Sequence, residues 1–245
     1  MPICRRRCFA AALLLQGMAA ASAHAGNTGG VFGPVIQAGD RSLQYRYANA
    51  LGENGAADNF AHRLHAQYAF NRHYRARVVA QYRDQPSGST FDQLRLELQH
   101  QFIDSRQTGG IWNSALRGDL VIRDDKRPED IGLHWTNQWT LSERWQATAL
   151  LFTIRQTGDN RLPGVQVSSR YRLAYRYHDA HSVALESYNS HGPLNALGIP
   201  DAQPQQAGPA LSGQWQQLGY KLAYLRGLNS ATPTETLSLW LTLPL

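Results

Sequence analysis

The stretch Tyr74-Arg75-Ala76-Arg77-Val78-Val79-Ala80-Gln81-Tyr82-Arg83 shows the pattern that decides the fold. Its even positions are apolar or aromatic, whereas four of its five odd positions are arginine or glutamine. A period of two residues is typical of a β-strand whose two faces meet different environments. The length also matches the roughly 9–11 residues with which a tilted strand crosses a bilayer. The stretch therefore predicts a strand that is long enough to span a membrane.

The same alternation recurs from residue 41 to the end of the chain. Leu94, Leu96 and Leu98 alternate with polar residues, and the stretch from Leu237 to Leu245 repeats the pattern. The alternation is weakest in the ninth and tenth of the segments that it defines. We predict strands near 41–49, 59–70, 74–83, 91–103, 111–122, 131–140, 145–156, 165–178, 181–190, 205–212, 217–228 and 236–245.

The connections between these strands alternate in length. Asn71 to His73, the stretch around Ser142 and Asp179-Ala180 are tight turns, while the longer connections, rich in Gly, Pro, Asn and Asp, are 50–58, 84–90, 123–130, 157–164, 191–204 and 229–235. Outer-membrane barrels show this asymmetry between short periplasmic turns and longer external loops. The sequence therefore predicts an all-β chain of antiparallel, sequentially connected strands.

Two all-β folds fit this pattern. A soluble sandwich or small barrel would bury the apolar face, whereas a transmembrane barrel would turn it towards lipid and enclose the polar face. Strand length favours the membrane, since strands of soluble proteins average roughly 5–6 residues. So do aromatic residues near the ends of the apolar faces, where an interfacial girdle is expected, at Tyr68, Phe70, Tyr74, Tyr82, Trp112, Trp135 and Trp139. We predict a transmembrane antiparallel up-and-down β-barrel of about 12 strands, with 10 as the lower bound.

The first 25 residues have the features of an export signal. Arg5, Arg6 and Arg7 precede an apolar stretch that begins at Phe9, and Ala23-His24-Ala25 offers a signal-peptidase site. We therefore predict a cleaved signal peptide at 1–25 and one barrel domain at 26–245. Both cysteines, Cys4 and Cys8, lie within the signal, so no disulfide is expected in the exported chain.

Composition excludes several other classes of protein. A mean hydropathy of −0.44 excludes a bundle of membrane-spanning helices, and 6 Trp, 11 Tyr and 7 Phe argue against a disordered chain. Without the three arginines of the signal, 21 basic side chains face 18 acidic ones. This near balance gives no support to a nucleic-acid partner.

The chain as a whole resembles a Gram-negative outer-membrane β-barrel, over nearly all of 26–245. More narrowly, Ala207-Gly-Pro-Ala-Leu-Ser-Gly213, Leu218-Gly-Tyr220, Gly227-Leu228 and Ala231-Thr-Pro233 are similar to the outer-membrane porins of the phenol-degradation meta-pathway family. This resemblance implies a twelve-stranded channel in the outer membrane, in contact with lipid and lipopolysaccharide and inserted by the barrel-assembly machinery. Such barrels usually end in an aromatic residue, whereas the last residue here is Leu245.

The polar faces of the predicted strands carry mostly arginine. The residues that we expect to line the lumen are Arg63, Arg75, Arg77, Arg83, Arg95, Glu97, Arg117, Asp119, Arg170, Arg172 and Arg176, with Arg46, His65, Arg123 and Glu186 on the same faces. Arginine binds carboxylates and phosphates bidentately, and rings of it in a pore favour anions. The pattern indicates a porin-like channel for passive diffusion of small polar or anionic solutes, with no cofactor, metal or catalytic residue. Alternatively, the arginines pair with acidic and polar neighbours and fill a closed lumen that has a structural role.

An outer-membrane lipid-modifying hydrolase is a further alternative. His181-Ser182 and Ser190-His191 contain the residue types of a nucleophile and a base. Neighbours on a strand point to opposite faces, so we expect loop-rim polar residues rather than catalytic ones. Contact between Ser190 and His191 would distinguish the two hypotheses.

Three further features bear on what the lumen holds. The strand at 145–156 is apolar on both faces, which predicts that something packs against its inner side. Residues 31–38 precede the first strand and are expected to tuck into the periplasmic mouth, although the stretch 26–40 is too short for a folded plug. The loop 191–204, rich in Pro and Gln, is a candidate for an inward-folded constriction.

Overall fold

The computed structural model describes residues 29–51, 59–85, 88–123, 127–198 and 200–245. The predicted signal peptide, 1–25, lies outside these described residues, as do Asp124 and Asp125 in one of the loops.

The described residues form a closed antiparallel barrel of twelve strands in chain order, as the alternation predicted. Its strands are β1 (Arg41–Leu51), β2 (Asn59–Ala69), β3 (Tyr74–Gln85), β4 (Gly88–Ile103), β5 (Trp112–Arg123), β6 (Glu129–Thr140), β7 (Trp145–Thr157), β8 (Val165–His178), β9 (His181–Pro193), β10 (Gln205–Trp215), β11 (Leu218–Gly227) and β12 (Glu235–Pro244). The barrel closes where β1 pairs with β12. In this register Arg46 lies opposite Trp240, and Leu51 lies opposite Glu235. Because the sheet closes on itself, it exposes no unpaired edge.

Arg41 and Pro244 lie at one end of the barrel, which we call the termini end, together with most of the tight turns. Most of the longer connections lie at the opposite, loop end, as predicted. The long connection predicted at 84–90 is wrong, because β3 and β4 stay paired as far as Gln85 and Gly88 and leave only 86–87 between them. The connection between β4 and β5, at the termini end, is longer than a tight turn. β9 and β10, the strands with the weakest alternation, run three residues further than predicted, to Pro193 and Trp215.

A short helix, α1 (Ser105–Thr108), links β4 to β5 at the termini end. Asp104 caps it, accepting from the backbone N–H of Arg106 at 3.0 Å and from the Nη2 of the same arginine at 2.7 Å. The hydrogen bond from the Arg106 side chain lowers the pKa of Asp104 from its usual 3.8 to about 2. Gly109 ends the helix with a φ of 67°, a conformation that favours glycine.

The outer surface of the barrel is apolar. Leu64, Leu98, Leu133 and Leu185 are each more than half exposed, and the other strands carry Leu, Val, Ile or Tyr on the same face. Most of the predicted aromatic residues lie near strand ends, but Trp135 pairs with Leu116 and Leu151 nearer the middle. A soluble protein buries such residues, so this surface is suited to lipid. No helix within the described ranges is long and apolar enough to cross a membrane.

Candidate functional site

The N-terminal segment, residues 29–38, runs inside the barrel. At the termini end, Oε1 of Gln101 accepts from the backbone N–H of Ile36 at 2.7 Å, and Arg106 Nη2 donates to the Ile36 carbonyl at 2.8 Å. Two residues before Ile36, the carbonyl of Pro34 accepts from Gln99 Nε2 at 2.8 Å. Ile36 is only 1% exposed. The segment thus passes through the termini-end mouth, as predicted for residues 31–38, and continues inwards.

The inner part of the segment reaches the middle of the strands. The guanidinium carbon of Arg117 lies 3.8 Å from the ring centroid of Phe32, and Arg170 Nη1 donates to the Gly30 carbonyl at 3.1 Å. Gly30 lies so close to the indole of Trp240 that any side chain there would collide with it. The middle of the lumen, which we call the waist, is therefore occupied by an extended segment rather than by a folded plug.

β7 supplies the apolar inner surface on which this segment packs. Val31 forms a buried cluster with Leu150 and Phe152 of β7, together with Tyr188 and Leu225. Phe32 packs on the cluster, and its ring meets that of Phe152 edge-on, with centroids 6.2 Å apart. The prediction that something packs inside the wall at β7 is confirmed, and the N-terminal segment is the partner.

Two carboxylates hold the arginines of β3, β4 and β5. Glu97 accepts from Arg77 at 3.0 Å and from Arg117 at 3.2 Å. Asp119, its Cα partner on β5, pairs with Arg95 at 3.1 Å. Both carboxylates are more than nine-tenths buried. Asp119 also lies 2.9 Å from Nε2 of His134 on β6, so the two carboxylates form a cross-linked polar layer on this side of the lumen.

Glu186 forms a second polar centre on the opposite side. It is fully buried and accepts from Lys221 Nζ at 2.7 Å and from the Tyr188 hydroxyl at 2.7 Å. Arg172 Nε lies 3.3 Å from its Oε1. This cluster ties β8, β9 and β11 together across the lumen side of the sheet.

Asp92 and Asp130 are inward carboxylates that the alternation did not predict. A bulge in β4 pairs Gln81 with Gln93 and Tyr82 with Phe91, so Asp92 is the extra residue and turns inwards beside Gln93. It lies 3.3 Å from Arg83 and is 2% exposed. A strict period of two assigns Asp92 to the outer face, so the bulge is the reason why the prediction missed it.

Asp130 belongs to β6, although the sequence placed it in the connection 123–130. It is 7% exposed, and its Oδ2 accepts from Arg123 Nη2 at 2.8 Å. Its other oxygen accepts from Gln156 of β7 at 3.1 Å. β6 begins at Glu129, two residues before its predicted start, and this extension brings Asp130 onto the inner face.

The remaining predicted arginines lie at different heights. Arg63 donates to Oε1 of Gln81, and Arg75 Nη2 donates to Gln99 Oε1 at 2.8 Å. Arg176 lies at the termini end, where its Nη2 donates to the carbonyl of Glu143. The structure therefore gathers Arg63, Arg77, Arg95, Arg117 and Arg170 around one central cavity, and leaves Arg75, Arg83, Arg172 and Arg176 outside it.

The described residues enclose three spaces along the lumen. A recess of about 650 Å³ opens at the termini end, lined by Arg172, Arg176, Lys221 and Trp240 among others. A loop-end recess of about 260 Å³ lies between Arg170, Tyr188 and Pro204. Between them the central cavity has about 90 Å³. Trp240 and the segment lie between the first space and the third, so the described residues leave no wide continuous passage through the barrel.

The loop predicted as a constriction lies across the loop end instead. In the described part of 191–204, Leu194 and Leu197 are each about three-fifths exposed. The carbonyl of Gln203 accepts from Asn229 Nδ2 at 2.6 Å, so the connection is held by its neighbouring loop. The inward-folded element is the N-terminal segment, because its apolar residues have an apolar inner surface to bury against and those of the loop do not.

Ser190 and His191 do not bond to each other. Ser190 Oγ donates to Gln203 at 3.3 Å, whereas His191 Nε2 lies 2.8 Å from Ser169 Oγ. A bulge in β9 makes His191 the extra residue between two pairs of the β8–β9 ladder. Ser169 is 3% exposed, and the described residues supply no third group that orients the His191 ring. The serine that lies beside the His191 ring is therefore buried, and the partly exposed Ser190 bonds elsewhere. Nor do the described residues contain a group of three potential ligands arranged for a metal ion.

Comparison with solved structures identifies porins of similar fold. The KdgM porin has a TM-score of 0.60 at 7% identity, over 82% of this chain and 98% of that chain. The KdgM porin in complex with disordered oligogalacturonate has a TM-score of 0.59, with the same identity and coverage. The NanC porin has a TM-score of 0.53 at 10% identity, over 82% of this chain and 97% of the other. No protein-family profile and no curated protein matches the sequence. At these identities the likeness shows the fold alone.

Proposed function

We propose that the chain is a porin-like channel of the Gram-negative outer membrane, through which small polar or anionic solutes diffuse passively. The observation that carries this proposal is the contrast between its two surfaces. The outer face presents Leu, Val and Tyr, and the inner face presents guanidinium groups at both recesses and at the central cavity. The fold shared with the KdgM and NanC porins supports the same function. The proposal also includes export of the chain with removal of residues 1–25, insertion by the barrel-assembly machinery and contact with lipopolysaccharide.

The proposed solutes carry carboxylate groups. Arg172, Arg176 and Lys221 line the wide termini-end recess and Arg170 lines the loop-end one. Guanidinium groups bind carboxylates bidentately, so a solute of this class meets suitable partners from both ends. The oligogalacturonate in the KdgM complex belongs to this chemical class. Membership of the phenol-degradation meta-pathway family stays a prediction.

The N-terminal segment defines a closed form of the proposed channel. It fills the waist between the two recesses, and its anchors include a few hydrogen bonds, the buried Val31 and the partly buried ring of Phe32. We propose that conduction requires this segment to leave the waist. The backbone of Pro34 and Ile36 bonds to the side chains of Gln99, Gln101 and Arg106, so these contacts can break without opening the barrel wall.

Planar-bilayer recordings test this function. The exported chain, 26–245, and a chain that begins at residue 39 are refolded and recorded under a KCl gradient. We expect rare, small openings from the first and frequent, larger openings from the second, with a reversal potential that shows anion preference in both. A cation preference, or no conductance from the shortened chain when it is folded, would contradict the proposal.

A closed barrel with a structural role is the second candidate. The buried carboxylates favour it, since Glu97, Asp119 and Glu186 already pair with five basic side chains of the lumen. On this hypothesis the shortened chain folds and never conducts. The same recordings therefore separate the two candidates.

A further inference from the structure

The central cavity lies at the waist of the barrel, closed on one side by residues Gly29, Gly30 and Phe32 of the N-terminal segment. Its volume of about 90 Å³ is that of roughly three water molecules, because each water has a share of about 30 Å³ in the liquid. It is therefore large enough for one small ion and far too small for a sugar.

The cavity has a strong excess of positive charge. Its described lining contains six guanidinium groups and a single carboxylate, and the arginines are Arg46, Arg63, Arg77, Arg95, Arg117 and Arg170. Asp119 supplies a second carboxylate through its pair with Arg95. The N-terminal segment adds no negative side chain, because the sequence contains no Asp or Glu before Asp40. Like charges that are buried together without a counter-ion are strongly unfavourable.

His65 gives a second, independent indication of a missing acceptor. Its ring lines the cavity and is 3% exposed, yet neither ring nitrogen has a partner among the described residues. At least one of these nitrogens carries a proton, and buried donors are almost always satisfied. The buried Nε atoms of Arg95 and Arg117 also lack a hydrogen-bond acceptor there. Arg63 and Arg170 donate to neutral oxygens, those of Gln81 and Gly30.

We propose that this cavity is an anion-binding site that holds one small oxyanion or carboxylate group, bound by Arg63, Arg170 and His65. The anion lies between the wall and the N-terminal segment and stabilises the closed waist. Arg170 and Ser168 line both this cavity and the loop-end recess, which gives the anion a route of entry from the loop end. The inference concerns a resident ion, so it holds whether or not the barrel conducts.

Calorimetric titration of the folded barrel in detergent tests the site, with inorganic sulfate and inorganic phosphate as probes and chloride at matched ionic strength as the reference. We expect one saturable site per chain for the oxyanions. Arg63→Gln and Arg170→Gln should each weaken this binding at least tenfold. Arg161→Gln, which changes an exposed loop arginine, should leave it unchanged. Heat-modifiable migration on gels establishes that each variant is folded.

A second measurement needs no variant. Crystals of the wild-type chain grown with selenate should show an anomalous scattering peak inside the central cavity. No saturable binding in the titration, or an anomalous peak located only at the surface, would overturn the inference. A barrel that conducts but has no such peak contradicts the anion site alone, whereas one that binds the anion and never conducts contradicts the proposed channel alone.

Discussion

Arg117 lies over the face of Phe32, with its guanidinium carbon 3.8 Å from the ring centroid, while one of its nitrogens bonds to Glu97. A charged wall residue thus holds an aromatic ring of the N-terminal segment. Desolvated cation–π contacts of this kind contribute about 2 kcal/mol. The same ring packs edge-on against Phe152, so Phe32 anchors the segment at the waist together with the buried Val31.

Phe32→Ala should therefore release the segment without disturbing the wall. The substitution removes both the cation–π contact and the packing on Phe152, so we expect more frequent and larger single-channel openings than in the wild-type chain. The measurement is planar-bilayer conductance of the refolded protein. Phe70→Ala removes an exposed ring at the termini end and serves as the matched control. Equal conductance in the two variants would show that Phe32 does not hold the waist closed.

Glu97→Gln should destabilise the barrel. Glu97 is the shared partner of Arg77 and Arg117, and the amide would leave both guanidinium groups without their negative charge. Removing one member of a buried ion pair costs about 3–5 kcal/mol, and glutamine keeps an acceptor, so we expect about 3 kcal/mol. Denaturant unfolding in lipid vesicles measures the change in the free energy of unfolding. Glu129→Gln, at an exposed position, should change it by less than about 0.5 kcal/mol.

The wall of the barrel was predictable from sequence, because each strand repeats the same physical constraint at every second residue. Tyr74 to Arg83 is a strand in the structure for this reason, and so is the stretch from Leu237 to the C-terminus. The alternation also placed Arg117 and Glu97 on one face. It could not show that the two side chains form an ion pair, because that depends on the register between β3, β4 and β5.

The residues that sequence reasoning missed lie where the regular pattern breaks. Asp92 is the extra residue of a bulge in β4, and a bulge reverses the inward and outward assignment without altering composition. The sequence partly indicated that the waist is occupied, because Leu150 and Phe152 put apolar side chains on a face that should be polar. What packs on them could not be derived from β7 alone. A short segment with Val31 and Phe32 before the first strand was the available signal.

Acid should loosen the anchor of the segment at the termini end. Arg106, which donates to the Ile36 carbonyl, is positioned by Asp104, whose pKa is lowered to about 2 by the hydrogen bond from that arginine. A lowered pKa means that this stabilisation is present above pH 3.8 and is lost as the pH falls towards about 2.

Thermal unfolding of Asp104→Asn against pH measures this contribution. Asparagine caps a helix as well as aspartate does, so the variant lacks chiefly the charge. We expect the wild-type chain to have the higher Tm at pH 5 and the two curves to converge near pH 2. Asp179→Asn makes the same change of net charge in an exposed turn. A difference between wild type and Asp104→Asn that stays constant over this range would contradict the assignment.

Leu185 and Leu194 provide a direct test of whether lipid surrounds the strands. Both are 61% exposed, but Leu185 lies within β9 and Leu194 lies just beyond it, at the loop end. In a soluble barrel an arginine at either exposed position would be equally harmless. In a membrane, an arginine on the lipid face near the midplane costs about 2–4 kcal/mol. Beyond the interface, the cost of the same substitution is near zero. We therefore expect Leu185→Arg, and not Leu194→Arg, to lower the free energy of unfolding measured in vesicles by about 2–4 kcal/mol. Equal effects of the two substitutions would contradict a membrane-embedded outer face, because the apolar surface would then have water as its neighbour along the whole length of β9.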